Sequence, residues 1–512
     1  MTFNPYSIGF WLTRRAELTP HRIAVDFEDR ALTYASLNKR ANQAASTLAS
    51  LGVRRGDRVA MLSENCPEYL EVFFACAKIG AVLAPVSWRL SEEEMSWQIE
   101  DSDPKLLISQ AQWGEAAAQI FRGDALIFGS NEGEVSNGSY EDALTAGSPG
   151  EPDDNNSFDD ALMILYTSGT TGRPKGAVLT HGNFFWANLN MLVNAEVHHD
   201  DVSLVFLPMF HIGGWNVTTL TVFLKGGTVV LERQFVSDRV LDLISKKQIT
   251  LLMGVPATYL FMSQQPNFED ADFSSVRLMI VGGAPMPEAL LEKYSARGIS
   301  IVQGYGLTEL APNALILPME DASRKLGSAG KPYFFTDTRL AGDVGNLVTG
   351  PATGEVVAAG PVVMQGYWRR DDATAETIVD GWLHTGDIAR VDEEGYFFIV
   401  DRAKDMIISG GENLYPAEIE NAIYEISAVA EVGVIGVPHD QWGEAVHAIV
   451  VPKEGAALTA DEITLHCRAR LAKFKVPRSI DIREEPLPRT PAGKVKKQEL
   501  RAPFWEGKEK QI

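Results

Sequence analysis

Short apolar segments alternate with amphipathic segments in the N-terminal part of the chain, and this alternation restricts the fold more than any other feature. Apolar residues recur at intervals of three and four between Leu37 and Leu51, a spacing that predicts a helix. We expect Thr33 to cap its start and Gly52 its end. GDRVAML is then typical of a strand, PEYLEVFFACAKIG of a helix ending at Gly80, and AVLAPV of a buried strand. Helices between buried strands predict a parallel sheet covered on both faces.

Four changes of pattern divide the rest of the chain. A polar stretch, AGSPGEPDDNNSFDD at 146–160, is predicted to be a surface connection. The alternation then resumes over 182–283, which predicts a second sheet-and-helix unit. Over 330–400 helical periodicity fades, and glycine-flanked segments such as GEVVAAG favour a small antiparallel sheet or barrel. After 401–406 the helices and strands predict a compact α+β unit.

These segments predict an α/β protein with more than one domain, because a single core rarely extends over 512 residues. We expect a large N-terminal domain over 1–400, built from two sheet-and-helix subdomains plus a small β-barrel. A small α+β C-terminal domain is expected over 406–512, with 401–405 as the connection between the two.

Charge and cysteine content narrow the class of partner. The formal net charge is -22, so nucleic acid and anionic membranes are not expected to bind over a broad surface. The three cysteines form no CxxC pair and lie in apolar helical segments. Buried free thiols are therefore expected, as in a reducing compartment. The sequence has no signal-peptide core and no apolar run that could span a bilayer, which predicts a cytoplasmic location without a transmembrane anchor.

The segment YTSGTTGRPKG at 166–176 combines hydroxyl side chains, glycines and a lysine. It is not a Walker-type P-loop, because Pro174 precedes Lys175 where that motif has glycine, and because the following residues are typical of a strand. Glycines let backbone N–H groups approach an anion, and hydroxyls and a lysine add donors. We predict a phosphate-binding loop between two strands, with a solvated hairpin as the alternative.

With THGN after it, this loop resembles the signature of the adenylate-forming superfamily, which includes acyl-CoA synthetases, firefly luciferase and the adenylation domains of peptide synthetases. Further motifs of the family follow in the same order over nearly the whole chain. They are PMFH (208–211), GVPATY (254–259), GGAP (282–285), QGYGLTE (303–309), GWLHTGD (381–387), DRAKDMIISGGENLYPAEIE (401–420) and PRTPAGKVKK (488–497). The sequence is most similar to bacterial fatty acyl-CoA synthetases and to feruloyl- or coumaroyl-CoA synthetases.

The resemblance implies a reaction in two steps. A carboxylate attacks the α-phosphate of ATP and releases pyrophosphate, and a thiol then attacks the acyl-adenylate to give a thioester and AMP. ATP, Mg²⁺ and coenzyme A are the implied cofactors and co-substrates, and the protein is expected to be a monomer or a homodimer. Because the protein supplies no covalent nucleophile, orientation and electrostatics should provide most of the rate.

The family's nucleotide contacts can be carried over residue by residue. Tyr305 is implied to stack on adenine, Asp387 to accept the ribose hydroxyls, Arg402 to contact ribose or phosphate, and Glu309 to hold Mg²⁺, which prefers oxygen ligands. Lys494 is implied to bridge the carboxylate and the α-phosphate during adenylation only. The implied catalytic residues are Lys494, Thr308, Glu309 and His211. The implied ATP and AMP contacts are Thr167, Ser168, Gly169, Thr170, Thr171, Gly172, Lys175, Gly282, Gly283, Ala284, Gly304, Tyr305, Gly306, Thr308, Asp387, Arg402 and Lys494.

The same resemblance suggests how one site performs both steps. In the family the small C-terminal domain rotates after adenylation about a hinge, which is Lys404 in this sequence. Rotation withdraws Lys494 and brings the loop SGGEN at 409–413 to the site. The implied coenzyme A contacts are Ser409, Gly410, Gly411, Glu412, Trp442 and Lys475.

The acyl pocket is expected between two motifs. Its implied residues are His211, Gly213, Gly214, Trp215, Gly306 and Leu307. Trp215 is interpreted as an apolar wall or gate, with a packed core residue as the alternative. His211 is interpreted either as a guard of the thiol path or as a core histidine. We expect an apolar monocarboxylate, with a medium- or long-chain fatty acid preferred over an aromatic acid. A carrier-protein thiol as the acceptor and a luciferase-like oxygenase are the other hypotheses.

Overall fold

The computed structural model describes residues 4–129, 139–167, 173–342, 347–348, 350–402, 405–409, 412–439, 441–490 and 494–506. Within these ranges the chain forms four sheets, three of them before residue 403 and the fourth after residue 406. The mixed α/β class with a large N-terminal part and a smaller C-terminal part is confirmed.

In the described ranges, the first sheet has nine strands, and six neighbours in its centre pair in parallel. These central strands are short and buried, as parallel strands covered on both faces must be. In spatial order the strands are Lys331–Pro332, Leu315–Ile316, Ile301–Tyr305, Leu278–Val281, Leu251–Gly254, Val202–Val205, Thr228–Leu231, Ile23–Phe27 and Arg30–Thr33.

The second sheet, counted over the same ranges, has seven strands. In spatial order they are Gly366–Tyr367, Lys175–Thr180, Ala161–Thr167, Val82–Val86, Arg58–Leu62, Leu106–Gln110 and Asp124–Phe128. The strands Ala161–Thr167 and Lys175–Thr180 pair antiparallel. They are the two strands predicted on either side of the phosphate loop.

The third sheet is antiparallel, and its six described strands do not close into the predicted barrel. Its strands are Leu347–Val348, Asp337–Ala341, Ala352–Ala359, Trp382–Val391, Ile378–Val379 and Phe397–Arg402. The fourth sheet contains Glu412–Leu414, Ile407–Ser409, Gly443–Pro452, Val429–His439 and Ser479–Ile482.

Helices cover the sheets. The α-helices in the described ranges are Gly9–Leu18, Tyr34–Ser50, Pro67–Ile79, Glu92–Ser102, Gly114–Ile120, Tyr140–Ala146, His181–Asn194, Thr219–Lys225, Ser237–Lys246, Pro256–Ser263, Glu288–Ser295, Asp371–Thr377, Pro416–Tyr424, Ala460–Arg470 and Lys497–Trp505. Short 3-10 helices occupy Ala111–Trp113, Ile212–Gly214, Thr308–Leu310 and Met319–Asp321. Of the helices in this part of the chain, none combines the length and the hydropathy that a membrane crossing requires.

Local chemistry explains several helix ends. The Thr33 side chain accepts a hydrogen bond from the Ser36 N–H and caps the helix Tyr34–Ser50, as predicted. Gly80 has a φ of 73° and ends the helix Pro67–Ile79, in the left-handed region that glycine adopts without strain. The three cysteines are buried free thiols, which confirms that expectation.

The hydrophobic core has separate parts. The largest cluster joins the helices Tyr34–Ser50 and Pro67–Ile79 to strands of the first three sheets. Residues after 406 form a cluster of their own, with Ile407, Val434 and Ile463 among its buried members. The proposed division at 401–405 stays a prediction, but the C-terminal residues have a core that is independent of the rest.

The stretch 146–160 is largely exposed and contains no strand, which fits the predicted surface connection, but it also contributes Glu151 to a buried polar network. Glu151 contacts the buried ammonium of Lys78 at 2.6 Å, and the ammonium also donates to Thr13, Asn38 and Asn42 at 2.6, 2.8 and 2.7 Å. Burial lowers the pKa of Lys78, while the Glu151 carboxylate opposes that shift. The segment therefore completes a buried polar network that a local polar composition does not reveal.

We predict that Lys78→Met lowers the free energy of unfolding by about 3 kcal/mol, because it leaves a half-buried carboxylate without its cation. Chemical denaturation measures the change. Lys105→Met, at an exposed lysine, is the control and should stay within about 0.5 kcal/mol of wild type. The double variant Lys78→Met/Glu151→Leu should recover much of the loss, and a double variant as unstable as the single one would show that the pair is not the cause.

Candidate functional site

The stem of the predicted phosphate loop lies against Glu309. Thr167 ends one strand of the hairpin, and its hydroxyl donates to Glu309 Oε1 at 3.2 Å. Glu309 lies in the 3-10 turn Thr308–Leu310 and is 7 % exposed. Lys175 begins the return strand, with its Nζ 5.0 Å from the centroid of the Tyr367 ring. The loop residues Ser168, Gly169, Thr170, Thr171 and Gly172 lie outside the described residues.

Tyr305 and Asp387, the predicted adenine and ribose contacts, lie next to each other. The Tyr305 hydroxyl donates to Asp387 Oδ2 at 2.7 Å. Tyr305 ends a strand of the first sheet, whereas Asp387 lies in the strand Trp382–Val391 of the third sheet. In that sheet Asp387 pairs in register with Arg402. The structure thus gathers three predicted nucleotide residues at the junction of two sheets.

Close backbone approach explains one glycine of QGYGLTE. A Cβ on Gly306 would lie 1.4 Å from the Pro312 carbonyl oxygen, so no other residue fits there without moving the backbone. Gly304 is less restricted, since its nearest neighbour would lie 3.8 Å from a Cβ, and Leu307 is partly buried against the main core. Thr308 opens the turn that carries Glu309.

The segment GGAP brings the C-terminal part of the chain to the site. Gly282, Gly283 and Ala284 follow the strand Leu278–Val281, and Gly283 has a φ of 81°. A Cβ on Gly283 would lie 4.0 Å from Lys494 Cε. Lys494 is held in its own loop, where its N–H donates to the Thr490 hydroxyl at 3.2 Å. The predicted catalytic lysine and the predicted adenine-binding segment are therefore neighbours.

His211 is uncharged at neutral pH. Burial lowers its pKa to about 4, with further lowering by the positive charges of Arg89 and Lys494. Its Nε2 atom is buried and has no hydrogen-bond partner among the described residues. A neutral imidazole near these two cations can accept a hydrogen bond without adding a charge that would repel them.

Trp215 lies in the core and not at an open pocket. Its side chain is completely buried, its indole N–H donates to the Met209 carbonyl at 2.6 Å, and its ring packs 4.5 Å from Phe73 and 5.8 Å from Tyr69. The structure thus supports the core alternative over the wall or gate interpretation of Trp215.

Two glycines of the same motif have different surroundings. A Cβ on Gly213 would meet Leu207 Cδ1 at 3.6 Å, an ordinary contact, whereas one on Gly214 would lie 2.8 Å from the Pro208 carbonyl oxygen. Gly213 thus faces apolar side chains, and Gly214 is required by a close backbone approach.

The predicted coenzyme A residues lie in the fourth sheet and around it. Ser409 pairs with Glu412 in one hairpin and with Gly443, the residue after Trp442, on its other side. Trp442 stacks beneath the guanidinium of Arg478 at 5.4 Å. Lys475 forms an ion pair with Glu418 at 2.7 Å, so a phosphate would have to compete with that carboxylate. Gly410, Gly411 and the predicted hinge Lys404 lie outside the described residues.

The carboxylate of Glu309 suits a metal ion that arrives with a nucleotide. Within the described ranges, no group of three or more histidine, cysteine, aspartate or glutamate side chains is arranged to hold a metal. Mg²⁺ is commonly held by one or two carboxylates, substrate phosphates and water. Glu309 beside the phosphate-loop stem fits that arrangement, whereas a metal held by the protein alone has no site in this part of the chain.

Two residues that were not singled out in the sequence lie among these groups. Arg89 follows Trp88 in SWRL, and its guanidinium lies 4.8 Å from the Trp88 ring and 6.0 Å from the Phe210 ring. The Tyr367 hydroxyl donates to Glu309 Oε1 at 2.8 Å. Phe210 and Glu309 are far in sequence from Arg89 and Tyr367, and neither position carries a local pattern that predicts these contacts.

Family models match both parts of the chain. The model described as AMP-binding enzyme matches residues 12–368, and the model described as AMP-binding enzyme C-terminal domain matches residues 418–494. Together they cover the regions that contain Thr167, Glu309, Tyr367 and Lys494.

Curated and solved relatives extend over nearly the full length. A feruloyl-CoA synthase from Amycolatopsis sp is 45% identical over 97% of this chain and 99% of its own. The long-chain-fatty-acid–CoA ligase FadD13 from Mycobacterium tuberculosis is 40% identical over 97% of this chain and 98% of its own. The structure of o-succinylbenzoate coenzyme A synthetase from Bacillus subtilis with ATP and magnesium ion superimposes with a TM-score of 0.85, at 33% identity, over 96% of this chain and 98% of that one.

Proposed function

The chain belongs to the family of AMP-binding enzymes and is an AMP-forming acid–CoA ligase that uses ATP, Mg²⁺ and coenzyme A, and we propose which residues carry its two steps and which acid it activates. The placement of Lys494 beside Gly283 and near His211 supports the assignment more than any other single observation. This placement puts Lys494, a cation of the C-terminal part, next to the predicted adenine-binding segment GGAP of the N-terminal part.

In the first step, the carboxylate of the acid attacks the α-phosphate of ATP. We assign the adenine and ribose to Tyr305 and Asp387, whose mutual hydrogen bond would open to admit the nucleotide. Lys175 and the loop donors take the outer phosphates, and Mg²⁺ beside Glu309 neutralises their charge when bound. Lys494 holds the attacking carboxylate against the α-phosphate, where two anions would otherwise repel each other.

We propose that His211 helps this step because its neutral imidazole adds no positive charge beside Lys494. A protonated imidazole near Lys494 would compete with the lysine for the carboxylate and add a third positive charge beside Arg89. With its pKa lowered to about 4, the imidazole can instead accept a hydrogen bond, for example from an incoming thiol in the second step. We propose that His211 lies on the thiol path.

The second step requires a different placement of the C-terminal part. We propose rotation about Lys404, which withdraws Lys494 and brings Ser409 and Glu412 to the acyl-adenylate. Trp442 and Arg478 then offer a stacked aromatic–cation surface to the nucleotide end of coenzyme A.

The cytoplasmic location expected for this protein stays a prediction.

We predict that Lys494→Ala slows adenylation by about 10² to 10³-fold while a supplied acyl-adenylate is still converted to the thioester. The reason is that the lysine contacts the anions of the first step only. Pyrophosphate exchange measures the first half-reaction, and thioester formation from synthetic acyl-adenylate measures the second.

Lys496→Ala is the matched control, because Lys496 lies two residues further on and pairs with Glu499 on the surface. It should leave both half-reactions within about twofold, as surface ion pairs contribute little. Equal loss of both half-reactions in Lys494→Ala would contradict the assignment.

We propose that the acid activated by this protein is an apolar aromatic monocarboxylate of the cinnamic type. The preference for a fatty acid depended on Trp215 as a pocket wall, and that ring packs in the core. The relative with 45% identity acts on ferulate, by its name, and the one with 40% identity acts on long-chain fatty acids. A medium- or long-chain fatty acid is therefore the second candidate.

We expect a hydroxycinnamic acid to exceed every fatty acid in kcat/KM by about tenfold or more, with no trend along the fatty series, because a pocket shaped for a ring gives little extra contact to a longer chain. The measurement is AMP release over a panel of acids, with and without coenzyme A. A fatty-acid pocket would instead raise kcat/KM about fourfold per methylene until it is full, from about 0.8 kcal/mol each. That result would reverse the choice.

A further inference from the structure

Tyr367 lies beside the stem of the phosphate loop because the two-residue strand Gly366–Tyr367 pairs antiparallel with Lys175–Thr180. In that register Tyr367 stands opposite Ala177. The pairing is reinforced on both sides: the Tyr367 N–H donates to the Thr374 hydroxyl at 2.9 Å, and the Trp368 N–H donates to the Gly176 carbonyl at 2.7 Å. The backbone of Tyr367 is thus fixed relative to the loop stem.

The side chain of Tyr367 contacts two opposite charges at once. Its hydroxyl donates to Glu309 Oε1 at 2.8 Å, and its ring lies 5.0 Å from the Nζ of Lys175. Glu309 Oε1 also accepts from the Thr167 hydroxyl at 3.2 Å. In the described part of the chain, the side-chain hydrogen bonds of this carboxylate therefore fall on one of its two oxygens.

This arrangement keeps the two charges apart. Within the described ranges Lys175 and Glu309 form no ion pair with each other, and each contacts the tyrosine instead. A direct ion pair would neutralise both groups. Lys175 would then be less available to bind phosphates, and Glu309 less available to bind the cation that accompanies them. The face of the Tyr367 ring attracts the Lys175 ammonium through its quadrupole, while the hydroxyl at the ring edge donates a hydrogen bond to the Glu309 carboxylate.

The hydroxyl of Tyr367 has its hydrogen-bond acceptor in Glu309. A neutral phenol can donate only one hydrogen bond, and Glu309 Oε1 receives it. The carboxylate is thereby fixed in orientation, with Oε2 left as the oxygen that no described side chain engages.

We propose that Tyr367 is a positioning residue for adenylation, which orients the Glu309 carboxylate toward Mg²⁺ and prevents Lys175 from pairing with it. The proposal rests on the proposed role of Glu309 beside the metal. Tyr367 acts through Glu309 and Lys175 and does not itself contact the reacting atoms.

The test separates metal-dependent from metal-independent nucleotide binding. Purified protein is titrated calorimetrically with ATP, once with excess Mg²⁺ and once with EDTA, and the Mg²⁺ concentration for half-maximal pyrophosphate exchange is measured in parallel. We expect Tyr367→Phe to weaken ATP binding about tenfold with Mg²⁺ and less than about twofold with EDTA, since one hydrogen bond to a charged group is lost.

Tyr367→Ala should behave differently from Tyr367→Phe. Without the ring, Lys175 can reach Glu309, so ATP binding should weaken with EDTA as well as with Mg²⁺. Tyr333→Phe is the matched control, because Tyr333 is a buried tyrosine whose hydroxyl contacts only Met191 Sδ among the described partners. It should leave both titrations unchanged.

Glu309→Gln distinguishes failure of the inference from failure of the proposed function. If Glu309→Gln removes the Mg²⁺ effect on binding while Tyr367→Phe behaves as wild type, the positioning role is wrong and the role of Glu309 stands. If Glu309→Gln keeps the full Mg²⁺ effect, both are wrong. Equal weakening of the two titrations in Tyr367→Phe would show a structural role only, which also overturns the proposal.

A second variant covers the case in which Tyr367→Phe does not fold. Thr167→Val removes the other hydrogen bond to Glu309 Oε1 and keeps the shape of the side chain. It should weaken binding with Mg²⁺ more than binding with EDTA, by about three- to tenfold. An unchanged ratio of the two affinities would contradict the claim that these hydroxyls orient the carboxylate.

Discussion

The approach of Lys494 to Gly283 and His211 brings the two parts of the chain together at one site. The neighbours come from different cores, since Gly283 follows a strand of the first sheet and Lys494 belongs to the C-terminal part. Neither part alone holds both the nucleotide segment and the lysine. We propose that the relative placement of the two parts decides which step the site can perform, and that the placement with Lys494 beside Gly283 is the one for adenylation.

Local charge explains how a protein with a net charge of -22 can bind a triphosphate and a carboxylate. Lys175 lies at the loop stem, and Arg89 and Lys494 are close enough to His211 to lower its pKa. We propose that these cations stabilise the negative charge that develops during adenylation. Their effect is greater in a buried site than on the surface, because water screens them less.

Much of the fold could be predicted because the signals are local. The hydroxyl of Thr33 accepts from an N–H three residues further on and caps the helix that begins at the next residue. Gly80 ends a helix in the left-handed region, and the hairpin around the loop follows from two adjacent apolar segments. The adjacency of Tyr305 and Asp387 joins two sheets and followed only from the resemblance to a family.

Contacts between distant segments explain what the sequence did not reveal. Lys78 and Glu151 are 73 residues apart, and a polar stretch gives no sign that one of its carboxylates has a buried partner. The glycines beside Trp215 suggested an open pocket. The Trp215 ring does not line one, because it packs on Tyr69 and Phe73 of the helix Pro67–Ile79. Tyr367 likewise meets Glu309 only through the pairing of two short strands.

Attack of the carboxylate on the α-phosphate is the central claim, and an isotope measurement tests it most directly. The protein is incubated with ATP, Mg²⁺, coenzyme A and an accepted acid carrying ¹⁸O in both carboxylate oxygens, and the nucleotide product is analysed by mass spectrometry. We predict AMP that carries one ¹⁸O atom, because the bridging oxygen of the acyl-adenylate leaves with AMP when the thiol attacks the carbonyl carbon. Formation of ADP, with ¹⁸O in inorganic phosphate and none in AMP, would contradict the claim.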